Sequence, residues 1–261
     1  MTGRILRLSP IALLALLVTA CGGTKTVTVT QTETVTTTVT ATTQPPSQVT
    51  PVRVYFLRDG RVAPVSRFVP KTTAVGRAAL EALLAGPTPE ERAIGLTTDF
   101  SDGTRLLHVS VDGGVASVAV DGTYGRAGLA QLVYTALQFP TVQSVASGQQ
   151  RLRRSTFEDV TPAILVDSPL PFATVGSPLR ATGTANTFEA TFEYDLVDAD
   201  GNVIGHHFVT ATSGSGTRGT FDFSVPFTVA RSGPGKLVVF ESSAANGQRI
   251  HVVEIPLRLE P

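Results

Sequence analysis

Between residues 162 and 259 no stretch of the chain has a helical period, and this limits the folds open to it. Seven short runs rich in β-branched and aromatic residues follow one another: "AILVDS", "LRATG", "FEATFEYDLV", "NVIGHHFVTA", "GTFDFSVPF", "GKLVVFES" and "RIHVVEIPLRL". Clusters of Gly, Pro, Asn, Asp and Ser separate them. Seven strands in about a hundred residues, with turn signals between, predict a β-sandwich of immunoglobulin type. The Cys–Trp–Cys signature of antibody domains is absent, because the chain has one cysteine and no tryptophan. Such a sandwich must be held by its apolar core alone.

Residues 52–148 have a different rhythm. "VRVYFL" (52–57) alternates like a strand. "AVGRAALEALLAG" (74–86) reads as a helix, with Val75, Ala79, Leu80, Leu83 and Leu84 on one face and Arg77–Glu81 as an i,i+4 pair. Gly86 is placed as its C-cap, and Pro87 forbids continuation. Thr88-Pro89-Glu90-Glu91 has the form of a capping box, so the two glutamates read as helix-capping groups rather than an acid/base pair. "TRLLHVSV" (104–111) and "VASVAVD" (115–121), joined by Asp112-Gly113-Gly114, predict a hairpin. "GLAQLVYTALQF" (128–139) is a second helix with Leu129, Leu132, Val133, Ala136 and Leu137 on one stripe, and "TVQSVAS" (141–147) a last short strand. The order β-α-β-β-α-β predicts a split βαβ sheet with both helices on one face. Residues 149–161, "QQRLRRSTFEDVT", are polar and read as a linker; Arg151, Arg153 and Arg154 are either solvated there or a phosphate or headgroup patch. The expected fold class is therefore α+β followed by all-β, in two separately folding units at 52–148 and 162–261.

The N-terminal part has another character. Arg4 and Arg7 precede the apolar run "IALLALLVTA" (11–20). As a helix these ten residues reach about 15 Å, half of a hydrocarbon core, so they read as the apolar region of a signal peptide covering 1–20. Cys21 follows directly. Residues 21–51 then form a tether, in which 12 of the 20 residues from 24 to 43 are Thr and Pro45-Pro46 stop any strand. Without residues 1–20, 19 basic groups face 21 acidic ones (21 minus Arg4 and Arg7, against 21). A net charge of about −2 gives no drive towards nucleic acid.

Three resemblances rest on these residues. Val18-Thr19-Ala20-Cys21 resembles the lipobox of bacterial lipoproteins. That implies a diacylglyceryl thioether on Cys21, cleavage after Ala20, an acylated new N-terminus and an extracytoplasmic place on the outer face of the cell membrane. "VYFLRDGRVAPVSRFVP", "ALEALLAGPTPEERAIGL", "GTRLLHVSVDGGVASVAVD" and "LAQLVYTALQFPTVQSV" resemble the GerMN domain of sporulation and germination proteins. That family usually closes on an apolar strand and a Gly turn, where this chain has "ASGQQ". "SPLPFATVGSPLRATGTANTFEATFEYDLVDADGNVIGHHFVTA" and "VVFESSAANGQRIHVVEIPL" resemble the second type of Gmad immunoglobulin-like domain of spore-germination proteins. Together they imply an envelope lipoprotein with a non-catalytic binding or structural role.

Catalytic and ligand-binding patterns are few. Gly214 to Gly219 formally matches GxGxxG, yet a strand follows it where a dinucleotide site needs a helix. Asp198 to Asn202 has half of a calcium loop and reads as a hairpin turn. His206 and His207 are neighbours and point to opposite faces of a strand; His108 and His251 stand alone. No catalytic, cofactor or metal residue is assigned, and Cys21 is the one site residue. The expected partners are the membrane, through Cys21, and an envelope protein or peptidoglycan. The rival from another class is a cell-wall-active enzyme or its sugar-binding subunit, which would need Asp99, Asp102 and Glu158 to converge. The sandwich turns at Asp198–Asn202 and Ser213–Arg218 are the expected contact loops.

Overall fold

Strand β1 (Val49–Arg58) turns back at Asp59-Gly60 into β2 (Arg61–Pro70) as an antiparallel hairpin. The computed structural model describes residues 48–261, so the expected signal peptide, Cys21 and most of the tether lie outside the described residues. The sequence pattern did not predict β2, which carries Pro64 at its centre. The register explains its tolerance. Pro64 faces Tyr55, and the Tyr55 N–H and C=O point away from β2, toward a helix. A residue opposite such a position needs no N–H for the ladder, so proline fits there.

Helix α1 (Val75–Leu84) buries Ala79, Leu80 and Leu83, as its apolar face predicts, and ends before Gly86 at φ +76°. Helix α2 (Pro89–Ala93) opens with the expected capping box: the Thr88 hydroxyl accepts from the Glu91 N–H, and the Glu91 carboxylate accepts from the Thr88 N–H. Glu91 also binds Arg67 of β2 through both carboxylate oxygens. Strands β3 (Arg105–Asp112) and β4 (Val115–Asp121) meet at a two-residue turn whose glycines, Gly113 and Gly114, both have positive φ.

Helix α3 (Arg126–Ala136) is surrounded: Gly128 and every residue from Ala130 to Ala136 are buried. Its apolar residues fill the first core, while Gln131, Thr135 and Gln138, just past its end, lie at i, i+4 and i+7. The Thr135 hydroxyl accepts from the Tyr55 N–H at 3.1 Å, and the Gln131 amide donates to the Tyr55 carbonyl at 3.1 Å. Gln138 accepts from the Arg53 N–H at 2.7 Å and donates to the Arg53 carbonyl. A helix thus takes the place of a neighbouring strand along the free edge of β1, because buried backbone groups must find partners.

Strands β5 (Ser144–Ser147) and β6 (Gln150–Leu152) complete a four-stranded sheet in the order β3-β4-β5-β6, separate from the β1–β2 hairpin. The observed order ββααββαββ therefore replaces the expected βαββαβ, and two sheets replace the single split one. The segment 149–161, expected to be a linker, carries β6 and a 3-10 turn (Arg154–Val160). Leu152 and Phe157 are the reason. Both are buried, and full burial of such side chains contributes about 1.5–3 kcal/mol each.

The remaining strands are β7 (Ile164–Ser168), β8 (Thr174–Val175), β9 (Leu179–Ala185), β10 (Thr191–Val197), β11 (Val203–Thr210), β12 (Gly219–Val225), β13 (Gly233–Ser242) and β14 (Arg249–Leu259). All seven expected runs are strands; only two-residue β8 is additional. They form a five-stranded sheet, β11-β10-β13-β14-β8, and a three-stranded sheet, β12-β9-β7. Alternate residues, among them Phe192, Leu196, Leu237, Val239 and Leu257 facing Ile164, Ala181 and Phe221, make the second core. Phe192 and Phe221 meet edge-on across it at 4.9 Å. Gly183 is required at that point, since a Cβ there would lie 2.6 Å from the Phe221 ring and 2.0 Å from the Leu165 carbonyl oxygen.

Replacing Gln131 by Leu removes the amide that serves Tyr55 and leaves buried backbone groups without partners. We expect a loss of about 1–3 kcal/mol in urea unfolding. A loss below about 0.5 kcal/mol would show that the edge of β1 does not depend on the helix.

Candidate functional site

A polar cluster lies where the hairpin, the 3-10 turn and β7 meet. Asp167, near the end of β7, accepts from the Tyr55 hydroxyl at 2.6 Å, from Arg53 at 3.3 Å and from Arg154 at 3.2 Å. Its side chain is 17% exposed. Arg154 also donates to the Tyr55 hydroxyl at 2.9 Å and lies over the rings of Tyr55 and Tyr134, 5.3 and 4.9 Å from their centres. Burial, and next the Asp167 carboxylate, push the Tyr55 phenol far above its ordinary value. It therefore remains a protonated donor. Burial raises Tyr134 as well, and its hydroxyl lies 2.6 Å from that of Thr161.

A second contact sits beside this one. Arg218, next to the start of β12, binds both oxygens of Glu158 at 2.8–3.2 Å and donates to the Pro162 carbonyl at 2.8 Å. Asn186 donates to the same carboxylate at 2.8 Å. The hydrogen bonds from Arg218, with those from Asn186, hold Glu158 below the usual carboxylate range.

Between these contacts and the hairpin tip runs a cleft of about 210 Å3. Val62 and Pro64 of β2, Ile164 and Val166 of β7, and Val253 and Ile255 of β14 line it, and Arg58, Arg61 and His251 stand among its polar members.

Two family matches divide the chain at this junction. Residues 53–146 match the Germane family, described as sporulation and spore germination. Residues 163–248 match Gmad2, the immunoglobulin-like domain of bacterial spore germination. The chain carries a Germane domain followed by a Gmad2 domain. Among solved structures, the tandem GerMN domains of the sporulation protein GerM from Bacillus subtilis match at 24% identity with a TM-score of 0.35. That alignment covers 41% of this chain and 41% of the other. No curated protein matches the chain.

The polar cluster joins the two domains. Arg53 and Tyr55 belong to the Germane domain, Asp167 and Arg218 to Gmad2, and Arg154 and Glu158 to the segment between the two matches. Arg154 is thus engaged inward with Asp167 and two tyrosines, not offered to a phosphate or a headgroup. The described residues, 48–261, group as one compact unit.

Two of the three carboxylates that a wall-active enzyme would need have other partners, and the third stands apart. Asp99 accepts from the N–H groups of Gly125 and Gly128 at 2.8 Å and caps α3. Asp102 is exposed in a turn, and Glu158 is held by Arg218. The cavity that Asp99 lines contains neither of the others. Asp198 closes its hairpin by accepting from the N–H groups of Asp200 and Asn202 at 2.9 and 2.8 Å. His206 and His207 diverge as expected; His206 lies 2.7 Å from Asp195. The loop at Ser213–Arg218 is less free than its composition implies. A Cβ on Gly214 would lie 2.5 Å from Ala190, and one on Gly219 2.3 Å from Ser213. Gly214 and Gly219 allow backbone to pack on backbone, and Gly216 between them has φ +104°, so each glycine of the GxGxxG spacing has a structural reason.

Neither the Asp167 contact nor the Arg58–Arg61 rim is evident from local pattern. The one signal for Asp167 is a charged residue at the end of the apolar run "AILVDS".

Asp167→Ala leaves Arg53, Arg154 and the Tyr55 hydroxyl short of a partner. We expect a loss of about 1–3 kcal/mol and the division of one calorimetric transition into two. A single transition with unchanged midpoint would contradict the coupling. The Glu158 contact adds a pH dependence. Its folded pKa is depressed, so its contribution is present above the unfolded value of about 4.3 and is lost as pH falls through the folded value. Between about pH 5 and pH 3 the protein should therefore lose more thermal stability than its Glu158→Gln variant. Parallel pH profiles of the two midpoints would refute this.

Proposed function

We propose that this chain is a non-catalytic binding or structural module of the cell envelope, working in a sporulation- or germination-related process and anchored by lipid on Cys21. The carrying observation is how its charged groups are used. Asp99, Glu158 and Asp167 each hold one part of the fold to another, and the cavity that Asp99 lines holds no second carboxylate. Acid/base chemistry on a glycan needs a pair of carboxyl groups flanking one bond. The junction instead fixes two domains relative to each other and leaves an apolar cleft with a basic rim, an arrangement suited to holding a partner. The anchoring part of the reading rests on the apolar run before Val18-Thr19-Ala20-Cys21. No helix among the described residues is long and apolar enough to cross a membrane.

The test combines labelling and capture. Wild-type protein should incorporate a radiolabelled fatty acid, and Cys21→Ser should incorporate none and accumulate unprocessed. Crosslinking in the native cells should attach an envelope protein or peptidoglycan to the wild type. Labelled Cys21→Ser protein would end the anchoring reading. Turnover of purified peptidoglycan that one carboxylate substitution abolishes would end the non-catalytic one.

A further inference from the structure

We infer that the cleft between the β1–β2 hairpin and the open side of the sandwich binds an extended acidic segment of a partner protein, which adds to β14 as a strand. The inference rests on the binding role proposed above and names the site and the chemistry of what it takes.

The first observation is an unfinished sheet edge. Strand β14 pairs with β13 along one side, whereas β8 pairs with its other side only at Arg258 and Leu259. The hydrogen bonds show which backbone groups face that open side. The Arg258 N–H donates to the Ala173 carbonyl at 2.9 Å, the Pro256 carbonyl accepts from Phe172 at 2.7 Å, and the Glu254 carbonyl accepts from Arg58 at 2.8 Å. Outward groups therefore recur every second residue, as an antiparallel ladder requires. By the same alternation the Val252 N–H and C=O and the Glu254 N–H point outward. No side chain or loop backbone among the described residues bonds them; beside them, between Val253 and Ile250, the register of β14 on β13 shifts and His251 has φ +55°. Pro256 occupies an outward position where its missing N–H costs no ladder bond, as expected of an edge strand.

The second observation is what this edge faces. The outward groups of β14 open on the apolar cleft, whose other sides are β7 and the hairpin. β7 is itself an edge strand of the three-stranded sheet. A segment laid along Val252–Glu254 would hydrogen-bond through its main chain and turn alternate side chains toward Val62, Ile164 and Val253. Strand addition of this kind takes affinity from main-chain bonds and selectivity from alternate pockets.

The third observation is charge. Arg58 and Arg61 bind only carbonyl oxygens, of Glu254 for the first and of Asp159 and Thr161 for the second. Arg58 Nε is buried without a partner, and burial lowers the pKa of its guanidinium. The acidic groups nearby are Asp59, beside Arg58 at the hairpin tip, and Glu254, which pairs with Lys236 at 3.0 Å. His251 also lines the cleft, 3.8 Å from the Glu241 carboxylate. Two guanidiniums against Asp59 leave the rim positive. A carboxylate on the incoming segment would give Arg58 Nε its missing acceptor in a charge-assisted bond.

The probe is a capped pentapeptide that alternates isoleucine and serine behind an N-terminal glutamate, and its control has lysine in place of the glutamate. Binding to the full chain in detergent is read by fluorescence anisotropy and by backbone amide shifts. The inference predicts saturable binding of the acidic peptide, shifts centred on Val252 and Glu254, and at least about fivefold weaker binding of the lysine peptide or of the Arg58→Ala variant, the size expected for one charge-assisted bond. Val252→Pro removes the outward N–H of that residue. Because proline fixes its own φ and restricts His251 at φ +55°, some stability is lost, and protein shown to be folded by its amide spectrum should no longer bind the peptide. No binding of the acidic peptide, equal binding of the two peptides, or undiminished binding by a folded Val252→Pro protein would each overturn the inference. So would displacement of the peptide by dodecanoate at stoichiometric amounts, which would make the cleft a lipid site. A dimer in sedimentation that Val252→Pro dissociates would likewise make its occupant a second copy. In any of these cases crosslinking could still capture an envelope partner elsewhere on the molecule, so the broader binding role would fail or stand separately.

Discussion

Tyr55 sits where the two halves of the structure are tied together. Its backbone N–H and C=O, buried in the first core, are taken up by Thr135 and Gln131 of α3. Its hydroxyl leaves that core and donates to Asp167, the residue by which the sandwich enters the junction. A side chain that bridges this way transmits position only if its own backbone is fixed. The stripe Gln131–Thr135–Gln138 supplies that, and α3 can carry it because the helix is enclosed and its apolar residues pack on its remaining faces. Arg154 closes the arrangement by lying over Tyr55 and Tyr134 while bonding Asp167. With Tyr55 kept neutral by burial, one carboxylate faces two guanidiniums, and the cluster has no unpaired negative charge to solvate.

The sandwich was legible in the sequence to within one two-residue strand, because its strands have one face in the core and one in water. Alternation is then written directly into residues such as those of β9 and β12. The Germane domain was legible where local chemistry decides the outcome. The Thr88–Glu91 capping box and the Gly113-Gly114 turn need only residues close in sequence. Strand β2 was not, since Pro64 argues against a strand unless it is known that its neighbour Tyr55 directs its hydrogen bonds to a helix. The segment 149–161 misled for a related reason. Its arginines and acids outnumber its two anchors, Leu152 and Phe157, and only the fold shows that these two are buried. Asp167 lies 112 residues from Tyr55, beyond any local pattern. The polar stripe of α3 was present in the sequence at i, i+4 and i+7. Its meaning depends on an adjacent strand edge that no spacing reveals.

These contacts also shape what the molecule can do. Asp99 and Glu158, which looked available in the sequence, have structural partners, and the loop at 213–218 packs backbone on backbone at Gly214. What remains open is the side of the sandwich where β14 lacks a neighbour and the hairpin tip presents two arginines without carboxylate partners. Such an edge keeps its shape only while the hairpin stands still against β7 and β14. The cleft is therefore a product of the junction, and a looser junction would remove it.

Residual dipolar couplings measured for the amides of residues 52–148 and 163–259 in one aligned sample test this most directly. A rigid junction predicts that a single alignment tensor fits both sets in the domain arrangement described above. Two tensors that differ in magnitude or orientation would show the domains moving independently, and would contradict the account that Tyr55 and Asp167 make them one body.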